Sequence, residues 1–130
     1  MAEPVLETVV QIRVRYAECD PMNVAHHSAY PVWLEIARTE LLREQGAAYR
    51  DLEASGVLFV VARLSVRYRR PAMYDDELDV SVMAEPVMGA KIEHRYEVRR
   101  DGEVLATGET TIVCVDRDGK MQRVPEGLFE

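Results

Sequence analysis

Ile92, His94, Tyr96 and Val98 alternate without a break with Glu93, Arg95, Glu97 and Arg99. Successive side chains of a strand point to opposite faces, so this stretch carries one largely apolar face and one charged face. Asp101-Gly102 follows, a pair suited to the left-handed conformations of a tight hairpin, and the next strand must therefore return antiparallel. That return runs from about Glu103 to Val115, and Asp118-Gly119 turns the tail back. Upstream, Leu78, Val80 and Val82 alternate with Asp79, Ser81 and Met83, and GVLFVVARLSVRYRR reads as a further strand from Val57, ended by Pro71.

The N-terminal third changes period. Leu6, Thr8, Val10, Ile12, Val14 and Tyr16 fall on one side of a first strand. Trp33, Ile36, Ala37 and Leu41 then recur at helical spacing. Ser28 is placed to cap that helix, Pro31 falls in its first turn, where a missing N–H does no harm, and Gly46 offers a stop. The spacing predicts a helix from Ser28 to Gln45, with another helical turn or two between Ala47 and Ser55. The order is one strand, one long helix, then four strands on short turns. It implies an α+β fold, an antiparallel sheet of about five strands with one long helix across a face, as a single domain over residues 1–130. The sheet's other face or edge needs water or a partner, and a homodimer supplies one.

Sixteen basic against twenty-three acidic residues give a net charge of −7. That balance argues against nucleic acid as a partner, because such a surface must neutralise phosphates. The start, MAEPVLETVV, lacks the basic n-region of a signal peptide. The longest run without a formal charge, Pro21 to Leu34, falls short of the roughly 20 apolar residues of a membrane helix. No membrane association and a cytoplasmic location are expected, with Cys19 and Cys114 as thiols. Cys114 reads as a small core residue and Cys19 as a poor nucleophile.

Chemistry concentrates in ECDPMNVAHHSAY, Glu18 to Tyr30. Asp20 stands just before a helix N-terminus, whose free N–H groups and positive dipole end can hold a developing oxyanion while a carboxylate attacks or activates water. The alternative is that Asp20 braces the turn. His26 and His27 are adjacent, about 100° apart on a helix, and no other ligand spacing supports a metal site. Glu18 would face the same side as Asp20 if the strand continued, and would then raise its pKa by like-charge repulsion; a solvated rim carboxylate is the other reading. Glu35 and Arg38 read as a surface ion pair, or as site-shaping groups if the helix is covered. His94 reads as a satisfied core or interface histidine. Arg67, Arg69 and Arg70 are solvated strand ends or a phosphate-binding rim.

Residues Val14 to Arg38, VRYAECDPMNVAHHSAYPVWLEIAR, resemble the signature of the hotdog-fold acyl-CoA thioesterases of the 4-hydroxybenzoyl-CoA thioesterase family. SVRYRRPAMYDDELDV and EVRRDGEVLATGETTIVCVDRDGK agree in order and spacing, so the resemblance spans roughly Val9 to Pro125. It implies a sheet wrapped around the central helix, and an acyl-CoA hydrolysed to free acid and CoA without metal or organic cofactor. Asp20 matches the catalytic carboxylate, nucleophile or general base, and the His27 region matches the backbone N–H that polarises the thioester carbonyl. Pro21, Asn23, His26, Tyr30, Glu35 and Arg38 are implied to line the site, and Arg67, Arg69 and Arg70 to meet the nucleotide end of CoA. Homodimers or homotetramers with active sites at the dimer interface are implied as well. Asn23 stands where the family usually has Gly, and Asn tolerates the left-handed conformation such a turn needs. Three alternatives remain: an acyl-carrier-protein thioesterase docking at Arg67 or Arg69, a non-catalytic acyl-CoA-binding module, and a dehydratase of the same fold.

Overall fold

The computed structural model describes residues 6–129. The reading of the first residues as free of a leader falls partly on Met1 to Val5, outside that range. Five strands, β1 (Leu6–Arg13), β2 (Leu58–Tyr68), β3 (Glu77–Ala84), β4 (Lys91–Arg100) and β5 (Glu103–Val115), form one sheet in the order β1-β3-β4-β5-β2. Every pairing is antiparallel. Helix α1 (Ala29–Glu44) crosses one face, and the short α2 (Tyr49–Ala54) follows it.

The hairpin expected at Asp101-Gly102 forms with both residues left-handed, at φ 51° and 82°. Strand β4 buries Ile92, His94, Tyr96 and Val98 and turns its charged residues outward, as the alternation required. Helix α1 buries Trp33, Leu34, Ala37, Leu41 and Leu42 against Leu78, Val80, Val82, Ile92 and Leu105. Each such leucine, isoleucine or valine contributes on the order of 1.5–3 kcal/mol through removal from water. The helix lies so close to β5 that a Cβ at Gly108 would sit 2.9 Å from Leu34 Cδ1. Gly46, at φ 81°, ends α1 where a stop was expected.

Several local expectations are corrected. Tyr16 does not continue β1: the chain turns into a 3₁₀ segment, Tyr16–Glu18, because Glu18 reaches back to the Arg15 N–H, and Tyr16 is 76% exposed. Ser28 occupies the N-cap position but makes no side-chain cap bond; its Oγ pairs with His26 Nδ1 at 2.7 Å. Ile36 lies off the buried stripe of α1, 41% exposed. Of the two readings of Arg38, a surface ion-pair partner or a group covered with its helix, the structure has the second: Arg38 is buried.

Strand β2 is an outer strand with a register shift between Val61 and Arg63. Val61, Leu64 and Tyr68 pair with Ile112, Thr110 and Ala106, whose side chains are buried on the helix side, yet they are themselves exposed. Val32 and Ile36 of α1 are exposed as well. Among the described residues no helix is long and apolar enough to cross a membrane.

Candidate active site

The stretch after β1 folds into a small hairpin of its own. Cys19 bridges Ala25, and the Asp20 N–H donates to Val24 O at 2.9 Å. Its tip needs a left-handed residue, and Asn23 supplies it at φ 66°. The hairpin docks on the loop before β3, where Ala25 N–H donates to Ala72 O and Tyr74 N–H to Asn23 O.

Asp20 uses one carboxylate oxygen structurally. Its Oδ1 accepts from Met22 N–H at 2.9 Å and from Val24 N–H at 3.3 Å, the bracing expected of an aspartate in a turn. Oδ2 has no partner among the described residues, so the group is oriented by one oxygen while the other stays unengaged.

The hairpin then delivers the chain to α1. His26 N–H donates to Glu18 O at 2.7 Å, and Ala29 N–H to His26 O at 3.0 Å. Among the described residues no acceptor takes the His27 N–H, which sits at the positive end of α1. Tyr68 Oη donates to His27 O at 3.0 Å and so ties β2 to the helix start. The rings of His26 and His27 are exposed and tilted together, centroids 4.0 Å apart. Tyr30 is buried behind them, its ring 4.6 Å from Trp33 and edge-on to Tyr68.

Glu18 does not extend the strand beside Asp20, and it is no rim residue. Its side chain is 8% exposed. Oε1 accepts from Arg15 N–H at 2.8 Å; Oε2 accepts from Trp33 Nε1–H at 2.8 Å and from the Arg15 guanidinium at 3.3 Å. Burial pushes this carboxyl up, but the Arg15 and Trp33 hydrogen bonds outweigh burial and hold it below the ordinary glutamate value. Burial, then the Glu18 and Asp20 charges, push the Cys19 thiol up, so it is a weak nucleophile.

The other anticipated residues are spread out. Pro21 and Asn23 sit exposed in the hairpin. Arg38 donates to Tyr96 Oη at 3.2 Å and lies 3.9 Å from the exposed Glu35; both line a cavity of about 220 Å³ with Tyr49, Phe59 and Val61, away from the Asp20 hairpin. Arg67 lies on the sheet's outer face with Arg63, Ser65 and Arg95. Arg70 is paired with Glu103 at 3.3 Å, while Arg69 holds the chain through its N–H to Leu105 O. The three arginines therefore do not form one cluster.

His94 corrects the expectation of a satisfied histidine: it is 1% exposed and, among the described residues, neither ring nitrogen has a hydrogen-bond partner. Its cross-strand neighbours are Ala84 and Thr110, and the Thr110 hydroxyl is engaged by Tyr96. Burial, with the nearby Arg38 charge, pushes its pKa down to about 3.

Sequence reasoning missed Trp33 and Tyr68 as polar partners of this region: Trp33 reads as part of the apolar stripe of the helix, and Tyr68 as one residue of a strand. Among the described residues no three His, Cys, Asp or Glu side chains gather where they could hold a metal ion.

Residues 14–130 match the thioesterase-like superfamily. The acyl-CoA thioester hydrolase YbgC of Escherichia coli O157:H7 is 33% identical over 106 residues, 81% of this chain and 79% of that protein. A crystal structure of the hypothetical protein TT1821 from Thermus thermophilus superposes with TM-score 0.87 at 38% identity, covering 95% of this chain and 92% of the other. A crystal structure of the DHNA-CoA thioesterase from Staphylococcus aureus does so with TM-score 0.86 at 31% identity, covering 90% and 80%. With its antiparallel sheet laid across one long helix, the chain is a hotdog-fold protein of the thioesterase-like superfamily.

Proposed function

We propose that this protein hydrolyses an acyl-CoA thioester to the free acid and CoA, with Asp20 as the reacting carboxylate. Its relatives are named thioester hydrolases, which supports the reaction class. The observation that carries the role of Asp20 is the division of labour in its carboxylate: Oδ1 is fixed by two N–H groups and Oδ2 is free. In the general-base route, Oδ2 takes a proton from water as the water oxygen bonds to the thioester carbon. The carbonyl oxygen becomes an oxyanion at the His27 N–H, the C–S bond breaks on collapse, and the proton passes to sulfur. In the nucleophile route, Oδ2 itself bonds to the carbonyl carbon and the C–S bond breaks to expel CoA thiolate; water then cleaves the resulting anhydride, regenerating the Asp20 carboxylate and releasing the free acid, and a proton from that water passes to the CoA sulfur.

The complete site in this reading needs a second copy. The exposed apolar residues Val61, Leu64 and Tyr68 of β2 and Val32 and Ile36 of α1 form the contact, and pantetheine threads between subunits. Arg67 and Arg69, exposed and without an ion pair among the described residues, are the candidate holds for the nucleotide phosphates. A cytoplasmic enzyme acting on free acyl-CoA is the setting that fits this reading.

The test is thiol release from a panel of aliphatic and aromatic acyl-CoAs. Asp20→Asn keeps an Oδ1 acceptor for Met22 and Val24 and removes only the charge, so the turn survives. Turnover falling by about 10²-fold or more, in a protein that melts like wild type, is expected. An Asn variant as active as wild type would place the chemistry elsewhere. Binding of CoA esters without any turnover in wild type would make the chain a binding module.

A further inference from the structure

Glu18 is a buried carboxylate that takes no part in the mechanism above, yet every oxygen it has joins two pieces of the site. Its side-chain Oε2 takes the indole N–H of Trp33, one turn inside α1, at 2.8 Å. Its Oε1 takes the Arg15 N–H at 2.8 Å, closing the 3₁₀ turn that ends one residue before Cys19. Its main-chain oxygen takes the His26 N–H at 2.7 Å, one peptide before the free His27 N–H. The residue thus stands two positions ahead of Asp20 and holds the start of α1 by two independent bonds. Trp33 is 1% exposed, so the indole has no competing water.

We infer that Glu18 and Trp33 are a pair of positioning residues that fix the spacing between the Asp20 carboxylate and the His27 N–H. This rests on the reading of Asp20 and His27 given above and adds to it the parts that hold them in register. The physical case is one of cost and geometry. A carboxylate 8% exposed carries a substantial desolvation cost, and a hydrophobic brace of equal volume would serve stability alone at least as well. What a charged, three-donor brace supplies is a fixed direction, and a displacement of about 1 Å between reacting groups can lower a rate by about 10²-fold. Tyr68 completes the frame from β2 by holding the next peptide of the same residue, at His27 O.

Two substitutions separate positioning from stability. Trp33→Phe keeps the ring and deletes one N–H; Glu18→Gln keeps the shape and replaces one accepting oxygen by an amide that faces donors. Expected for each, on the acyl-CoA that wild type turns over fastest, is a kcat lower by about 10- to 100-fold with KM within about threefold. The double variant should be no slower than the slower single one, since both break the same bond. A loss of kcat that instead multiplies in the double variant, or unchanged kcat in either, overturns the pairing. The chain has one tryptophan, so its indole N–H gives one signal in a nitrogen-edited NMR spectrum. Glu18→Gln should shift that signal together with the His26 and His27 amides, and this holds in a protein with no turnover. If wild type hydrolyses none of the panel, the thioesterase reading falls while the spectrum still decides the brace. An indole signal that ignores Glu18→Gln sinks it.

Discussion

His94 makes the folded protein acid-sensitive in a window where few other groups titrate. In the unfolded chain its pKa is near the ordinary 6.5; in the fold, burial and the Arg38 charge bring it to about 3. The unfolded state therefore binds a proton below pH 6.5 that the folded state refuses. Stability is fully present above pH 6.5 and is lost as pH falls toward 3. With one proton linked, the slope approaches about 1.4 kcal/mol per pH unit, which puts the loss between pH 7 and pH 5 at about 2 kcal/mol. Tyr96 and Phe129 pack on the ring at 6.1 and 5.6 Å between centroids, and the nearby Arg38 stays charged throughout. The assay is urea unfolding at one protein concentration from pH 7.5 to 4.5, for wild type and His94→Phe, which keeps a planar ring between Tyr96 and Phe129. Wild type should lose stability steadily below pH 6.5, and the difference between the two proteins should grow by about 2 kcal/mol by pH 5. Parallel curves would show that His94 is protonated in the fold or that the ring finds a partner, and would refute the argument.

Two further outcomes follow from packing. Gly108→Ala places a methyl 2.9 Å from Leu34 Cδ1 and 3.4 Å from Ser65 O, so the Leu34 side chain must shift in a packed core; a loss of about 1–3 kcal/mol in chemical unfolding is expected, and an unchanged midpoint would mean that Leu34 repacks without cost. If two copies meet through β2 as proposed, Val61→Arg with Leu64→Arg puts like charges across a twofold interface, and sedimentation should show a monomer without turnover; unchanged mass would move the interface to another face.

Strands β1, β3 and β4 were legible because each carries a two-faced pattern, and β4 with its Asp-Gly turn is the clearest: burial of Ile92, Tyr96 and Val98 followed the alternation. The end of β1 was not. Period alone carried Tyr16 onward, whereas a side chain three residues later, Glu18, captures the Arg15 N–H and diverts the backbone. The Asp20 hairpin was legible as a turn leading into a helix, and Asn23 as its left-handed residue, since both are local backbone matters. The partners of Glu18 were not, because Trp33 lies fifteen residues away and comes into reach only when α1 packs.

By itself, the sequence determined the element order, the faces of β1, β3 and β4 and the place of the Asp20 turn, all of which depend on neighbours within a few positions. Tertiary structure alone decided which polar groups find partners. It buried Glu18 among three donors and left the His94 ring with none, although the sequence presents each simply as one polar residue beside apolar ones. The reason is physical: a hydrogen bond needs a partner within about 3 Å and correctly aimed, and for side chains far apart in the chain only the packing of helix on sheet sets that distance.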